Sequence, residues 1–256
     1  MDCCHVSFDV GIRNLAVAII VVDNNDKIEV LLWKVIDLLE HTGAKKIKNV
    51  DLARRIRLLH NECKQIWSCL NNFHQTYVHI ERQHARNHGM TAMAVALFVE
   101  ALASLEPVHI DSKVHVDFIP AKSKLDYASR VLPNIITADA VNAARGKRQY
   151  KLRKKLAICA CQALLENHEI YMTNNTTRAS QFFEQIDRSK VDDLADSMLQ
   201  ALSCANVLPI LTICQPIELN CRKRKQTNLN SKRKPKQQKC TKDVENVVTK
   251  KEKNES

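Results

Sequence analysis

Residues 3–9 alternate along an extended chain, with Val6 and Phe8 on one side and Ser7 and Asp9 on the other, which predicts a strand. After a turn at Gly11 to Asn14, the run LAVAIIVVD (15–23) is apolar without a break, as in a central strand covered on both faces. Asn24-Asn25-Asp26 then turns the chain into a third strand, IEVLLWKVI (28–36). Three strands joined by short turns make an antiparallel meander.

The spacing changes at residue 51. From Asp51 to Leu70, Leu52, Ile56, Leu59, Cys63, Ile66 and Leu70 recur at helical intervals, with Arg54, Arg55 and Lys64 opposite them. TYVHIERQ (76–83) reads as a fourth strand, and a loop bearing Arg82, His84, Arg86 and His88 leads to MTAMAVALFVEALASL (90–105). That helix is apolar nearly all round, so it is expected to be buried on more than one side, against the sheet and either a partner subunit or other parts of the same chain. A fifth strand, VHVDFIPA, ends at Ala121 and is followed by Lys122, Ser123 and Lys124. Beyond it, residues 145–168 open with a dense basic run and continue as a helix with Leu152, Leu156, Cys159 and Ala163 inward. Residues 167–189 are polar and irregular, and a last helix, beginning KVDDLADSMLQAL, closes the fold at about Val207.

The order βββαβαβ followed by helices predicts an α/β domain with a mixed five-stranded sheet, flanked by helices, over residues 1–215. After Pro216 the apolar pattern fades, and residues 216–256 read as a basic disordered tail. Charge supports that boundary. The 256 residues carry a net charge of +11, but 13 Lys/Arg face 4 Asp/Glu from Arg222 onward, leaving 26 against 24 before it. RKRK from Arg222 and KRKPK from Lys232 fit a flexible, non-specific grip on DNA or a nuclear import signal, and the grip is the preferred reading.

The N-terminal residues lack a basic leader and no apolar run reaches membrane-spanning length, so an intracellular, soluble protein without membrane partners is expected. In that compartment the ten cysteines are expected to be reduced thiols, mostly small core residues, and the Asn-Xaa-Thr sequons at Asn174 and Asn175 carry no meaning. Glu81, His84 and His88 have a spacing that suits zinc on a helix, but the intervening charges and Gly89 predict a loop.

Three acidic stations stand out against this background. Asp9 closes the first strand, Glu81 closes the fourth, and Asp192, Asp193 and Asp196 open the last helix, where i, i+3 and i, i+4 spacings project from one face. Singly, each has an ordinary explanation: turn chemistry for Asp9, a pair with Arg82 for Glu81, the helix dipole for the triplet. Together they are a set of hard oxygen donors on separate elements, suited to a divalent metal.

The segments FDVGIRNLAVA, VHIERQ, PAKSKL and KVDDLADSMLQAL, in this order, resemble the RuvC-type Holliday junction resolvases of the RNase H-like superfamily over roughly residues 3–207. The likeness is nearest to the poxvirus and large-DNA-virus branch, with fungal mitochondrial resolvases further off. It implies a structure-selective endonuclease that resolves four-way and related branched DNA by paired nicks, leaving ligatable 5′ phosphates. Asp9, Glu81, Asp193 and Asp196 match the catalytic carboxylates, with Asp192 an alternative ligand beside Asp193. Lys124 or Lys122 matches a basic residue near the scissile phosphate, Lys124 being preferred. Two Mg²⁺ ions per site, with Mn²⁺ able to substitute, and a homodimer are implied. If the chain is viral, its place is the site of viral DNA replication, in host cytoplasm or nucleus.

Phosphate contacts dominate affinity for nucleic acid, so a basic surface is expected to bind the substrate. The candidates are Arg145, Lys147, Arg148, Lys151, Arg153, Lys154 and Lys155, with Arg82, Arg86 and Lys122 near the carboxylates. Rival readings are an RNA/DNA-hybrid hydrolase or YqgF-like nuclease, and an inactive junction-binding protein. DVGIRN also resembles the first phosphate loop of actin/Hsp70-like ATPases. That fold needs further glycine-rich loops, and the chain has four glycines, at 11, 43, 89 and 146.

Overall fold

The computed structural model describes residues 2–40, 42, 49–70, 73–84, 86–105, 113–145, 149–173, 177–187 and 189–208. The expected meander is present as β1 (Cys3–Val10), β2 (Asn14–Val22) and β3 (Ile28–Asp37), paired antiparallel in sequence. Then come α1 (Leu52–Leu70), β4 (Gln75–Glu81), α2 (His88–Ser104) and β5 (Lys113–Ile119), with β4 parallel to both β1 and β5.

Every residue of β2 after Asn14 is buried, because helices cover both faces of the sheet. Cys4, Val6, Phe8 and Val10 of β1 and Leu15, Val17 and Ile19 of β2 pack against α1 and α2. On the other face, Ala18, Ile20, Val30 and Trp33 meet the helices of the second half of the chain. Continuous hydrophobicity in β2 is the consequence of this two-sided cover.

Those helices are α3 (Ser123–Val131), α4 (Ala138–Ala144), α5 (Tyr150–Asn167), α6 (Ala179–Gln185) and α7 (Val191–Ala205). Helices α3 and α4 correct the sequence expectation, which gave no element between the fifth strand and the basic run. The fifth strand itself ends at Ile119, because Pro120 cannot extend the ladder and the chain turns into α3. Thr137 caps α4 by accepting from the Ala140 N–H at 3.2 Å. A second correction is the sheet, which has six strands in the order β5-β4-β1-β2-β3-β6. The sixth, β6 (Tyr171–Met172), is a two-residue parallel addition to the edge of β3 within the stretch read as irregular. A third is the inward face of α5, where the expected Ala163 is buried beside Ala157, Ala160, Cys161 and Leu164, while Leu152, Leu156 and Cys159 are only partly buried. Small residues let α5 approach its neighbours closely, whereas periodicity weighted by large side chains favours the adjacent stripe.

The described elements fall within one unit, Met1–Leu219. The tail expected from residue 216, with its basic clusters, lies outside the described residues. Among the described residues Cys4, Cys63, Cys69, Cys161 and Cys204 are free thiols. No described helix is long and apolar enough to cross a membrane.

Candidate active site

Strands β1, β2 and β3 run outward in one direction from β1, while β4 and β5 lie on its other side. In open α/β sheets such a reversal leaves a crevice at the carboxyl ends of the parallel strands. Phe8 is in register with Ile80, so the next residues, Asp9 and Glu81, emerge side by side into that crevice. Their carboxyl groups lie within hydrogen-bonding reach of each other.

Helix α7 brings the third station across the sheet. Its rotation is fixed by two buried hydrogen bonds: Trp33 Nε1 donates to the Leu194 carbonyl at 3.0 Å, and Gln200 Nε2 donates to the His79 carbonyl at 3.1 Å. Between these anchors, Asp196 faces the crevice. From the first turn of α3, Lys124 reaches the same point, with Nζ 2.7 Å from Glu81 Oε2 and 3.4 Å from Asp196 Oδ1. The Lys124 side chain is only 6% exposed. Lys122, two residues earlier, is exposed at the start of α3.

The helix acids separate into different surroundings. Asp193 Oδ2 accepts from Asn14 Nδ2 at 3.1 Å, and the side-chain Oδ1 of Asn14 accepts from Lys190 Nζ at 2.9 Å. Asp192 forms an ion pair with Lys154 of α5. Thus Asp9, Glu81, Lys124 and Asp196 meet directly, Asp193 adjoins through Asn14, and Asp192 turns to the basic helix. Asn14 and Lys190 were not singled out by sequence. Their signal was adjacency: Asn14 closes the turn after Asp9, and Lys190 precedes the acidic triplet.

Electrostatics follow from this crowding. Burial raises the Asp9 pKa well above the ordinary aspartate value; Lys124 opposes this, and Glu81 and Asp196 add to it. Burial likewise raises Asp196, against the pull of Lys124. For Lys124 burial favours the neutral amine, but Asp196, Glu81 and Asp9 outweigh it, and its pKa lies above the ordinary lysine value. One ammonium therefore stands among three carboxylates, an excess of negative charge built from oxygen donors alone. Among the described residues no three acidic, His or Cys side chains already converge in metal-ligand geometry. Lys124 bridges two of the carboxylates instead. The donor chemistry and the uncompensated charge nonetheless fit a hard divalent cation. His84 and Glu81, by contrast, sit in a loop and a strand before His88 opens α2, so the zinc spacing is not helical.

Beside the carboxylates, α3, α4 and α5 enclose a cleft of about 370 Å³ that includes Glu81, Lys124 and Asp196 in its lining. Lys122, Arg145, Arg153 and Lys154 also line it. Arg145 pairs with Asp126 at 2.9 Å, and Arg153 Nη1 donates to the Ala144 carbonyl at 3.3 Å. Lys151 and Lys155 are on the exposed side of α5, and Arg82 and Arg86 are exposed in the loop after Glu81. Lys147 and Arg148 lie outside the described residues.

No protein-family model and no curated protein matches the chain. Among solved structures, the yeast mitochondrial Holliday junction resolvase Ydc2 superposes with a TM-score of 0.54 at 19% identity, covering 79% of each chain. The chain has a Holliday junction resolvase fold. Fowlpox virus resolvase, solved with substrate Holliday junction DNA, gives 0.45 at 17% identity over 79% of this chain and 97% of that one. Thermus thermophilus RuvC gives 0.43 at 15% identity over 80% and 93%. The resolvase fold is the α/β, mixed-sheet architecture expected from sequence, enlarged by the sixth strand.

Proposed function

We infer that the chain is a metal-dependent endonuclease that resolves four-way and related branched DNA junctions by paired nicks. The observation that carries this reading is the meeting of Asp9, Glu81 and Asp196 around Lys124, at the strand ends of a resolvase fold.

Asp9, Glu81, Asp196 and Asp193 are the donors that would hold Mg²⁺, or Mn²⁺ in its place, with Asp192 the alternative to Asp193. When bound, two such ions would supply activation of water and neutralisation of charge on the phosphate. Lys124 keeps its proton at neutral pH, so its Nζ acts as cation and hydrogen-bond donor to a non-bridging phosphate oxygen, not as a base. Water adds to phosphorus, its proton passes to a carboxylate or to solvent, the bond to the 3′ oxygen breaks, and that oxygen takes up a proton from solvent. The products are a 3′ hydroxyl and a 5′ phosphate.

Arg145, Arg153, Lys154 and Lys122 suit the phosphates beside the site, and Lys151, Lys155, Arg82 and Arg86, together with Lys147 and Arg148, suit more distant ones. The pairing of nicks calls for two sites, and α2 offers a surface for a homodimer. Val95, Val99 and Leu102 are 48%, 59% and 51% exposed, while Met93, Ala94, Leu97 and Ala101 are buried on the sheet side. Such an apolar outer face suits an isologous contact with a second copy.

The test is cleavage of a synthetic immobile four-way junction beside linear duplex and RNA/DNA hybrid, with Mg²⁺ or EDTA, by wild type and Asp9→Asn. Metal-dependent paired nicks at the junction, absent from the variant, are expected. Cutting of the hybrid alone would make the chain a hybrid hydrolase, and binding without cutting would make it a junction-binding protein.

A further inference from the structure

The cleft beside the carboxylates has a feature that hydrolysis does not use. Tyr150, the first residue of α5, lines it while 57% exposed. Lys154 Nζ stands 4.8 Å from the centre of the ring, and Arg153 Cζ 6.0 Å. Lys154 is itself held by its ion pair with Asp192, so the cation that contacts the ring is tied to α7. The ring is therefore oriented before any ligand arrives, which lowers the ordering cost of a contact with it. An exposed aromatic among cations is the combination on which single-stranded bases stack.

The remaining lining has the matching chemistry. Leu125, Val141, Ala144 and Ala157 give the cleft an apolar wall, and Lys122 and Arg145 add positive charge. At about 370 Å³ it lies at the lower end of the range of about 300–1,000 Å³ for small-molecule pockets. That is room for one nucleotide and not for a duplex arm. A base at a branch point has already lost part of its stacking, so drawing it aside costs least there.

We propose that this cleft receives one unpaired nucleotide at the branch point, its base stacked on Tyr150 and its backbone leading to the phosphate at Lys124. The proposal rests on the nuclease reading and adds to it a subsite that selects unpaired bases next to the cut. Tyr150 is then a specificity-determining residue.

Binding measured in EDTA tests it, using an immobile junction and copies in which an abasic nucleotide replaces each base flanking the crossover in turn. Wild type, Tyr150→Ala and Tyr150→Phe are compared. Tyr150→Ala is expected to weaken binding of the intact junction about tenfold, and Tyr150→Phe to stay within about twofold of wild type. At one abasic position wild type should lose the same factor while Tyr150→Ala loses nothing further. Losses that simply add at every position, or a Tyr150→Ala that binds like wild type, would overturn the base contact alone. A wild type without preference for the junction over linear duplex would overturn the nuclease reading and this subsite with it.

Discussion

Lys124 Nζ donates to Glu81 Oε2 at 2.7 Å in a pair whose side chains are 6% and 15% exposed. A buried cation among several carboxylates cannot be removed cheaply, since the charges left behind have neither water nor partner. Breaking such a pair typically costs about 3–5 kcal/mol. Lys124→Ala is therefore expected to lower stability by that order at neutral pH, and the deficit should shrink as acid protonates Asp9 and Asp196. Urea denaturation across pH reads this directly; a deficit independent of pH would mean that packing, not charge, is what Lys124 supplies.

Asp9 carries the opposite sign. Its folded-state pKa is raised, so between the ordinary aspartate value and the raised one the folded chain holds more protons than the unfolded chain. Stability consequently falls as pH rises through that window. Asp9→Asn removes this cost and is expected to stabilise by about 1 kcal/mol at neutral pH, roughly 2–4 °C in Tm. The gain should vanish below about pH 4. Thermal melts of both proteins across pH check it, and nicking should be lost in the variant at every pH.

Divalent cations should offset the same charge excess. A cation that binds only the folded chain stabilises by about 2.7 kcal/mol at a hundred times its dissociation constant. Wild type is expected to melt higher in Mg²⁺ or Mn²⁺ than in EDTA, and Asp9→Asn to show little difference. Equal shifts in both proteins would place the ion elsewhere.

How much of this was legible from residues alone varies by element. Strands β1 to β3 were, because alternation in β1 and unbroken burial in β2 leave a direct mark on the sequence. Asp9 and Glu81 were visible as strand ends, yet their adjacency depends on the parallel pairing of Phe8 with Ile80, a non-local fact. The choice between Lys122 and Lys124 stayed open because α3 went unread. Once α3 is a helix, Lys124 shares a face with Tyr127, Ala128 and Val131, all buried, while Lys122 precedes it in solvent. Helices of nine and seven residues on either side of Pro133 are too short for periodicity to declare them. The two-residue β6 has no pattern of its own.

Helix α2 offers a test of assembly. Val99→Glu lies on an exposed face, so its effect on the stability of one chain should be within about 0.5 kcal/mol. If that face joins two copies, light scattering should report a dimer for wild type and a monomer for the variant, with unchanged circular dichroism. A wild-type monomer, or a variant that remains dimeric, would remove α2 from the interface.

The turn after Asp9 is equally specific. Gly11 N–H donates to the Asn14 carbonyl at 2.9 Å, and a Cβ at Gly11 would lie 2.5 Å from that same oxygen. Gly11→Ala must therefore shift the turn, and with it the Asn14 side chain that holds Asp193. A loss of about 1–3 kcal/mol is expected, together with weaker Mg²⁺-linked stabilisation than in wild type. Melting with and without the ion separates the two effects.

The carboxylates come from β1, β4 and α7, and the last of these is the final described helix of the chain. Chain emerging from a ribosome presents Asp9 early but has no Asp196 beside it until α7 has been made. Any fragment that stops before α7 holds Asp9 and Glu81 without Asp196, however well its sheet has formed. The acidic cluster is thus completed only when α7 docks on the sheet, and the candidate site is the last part of the described fold to assemble.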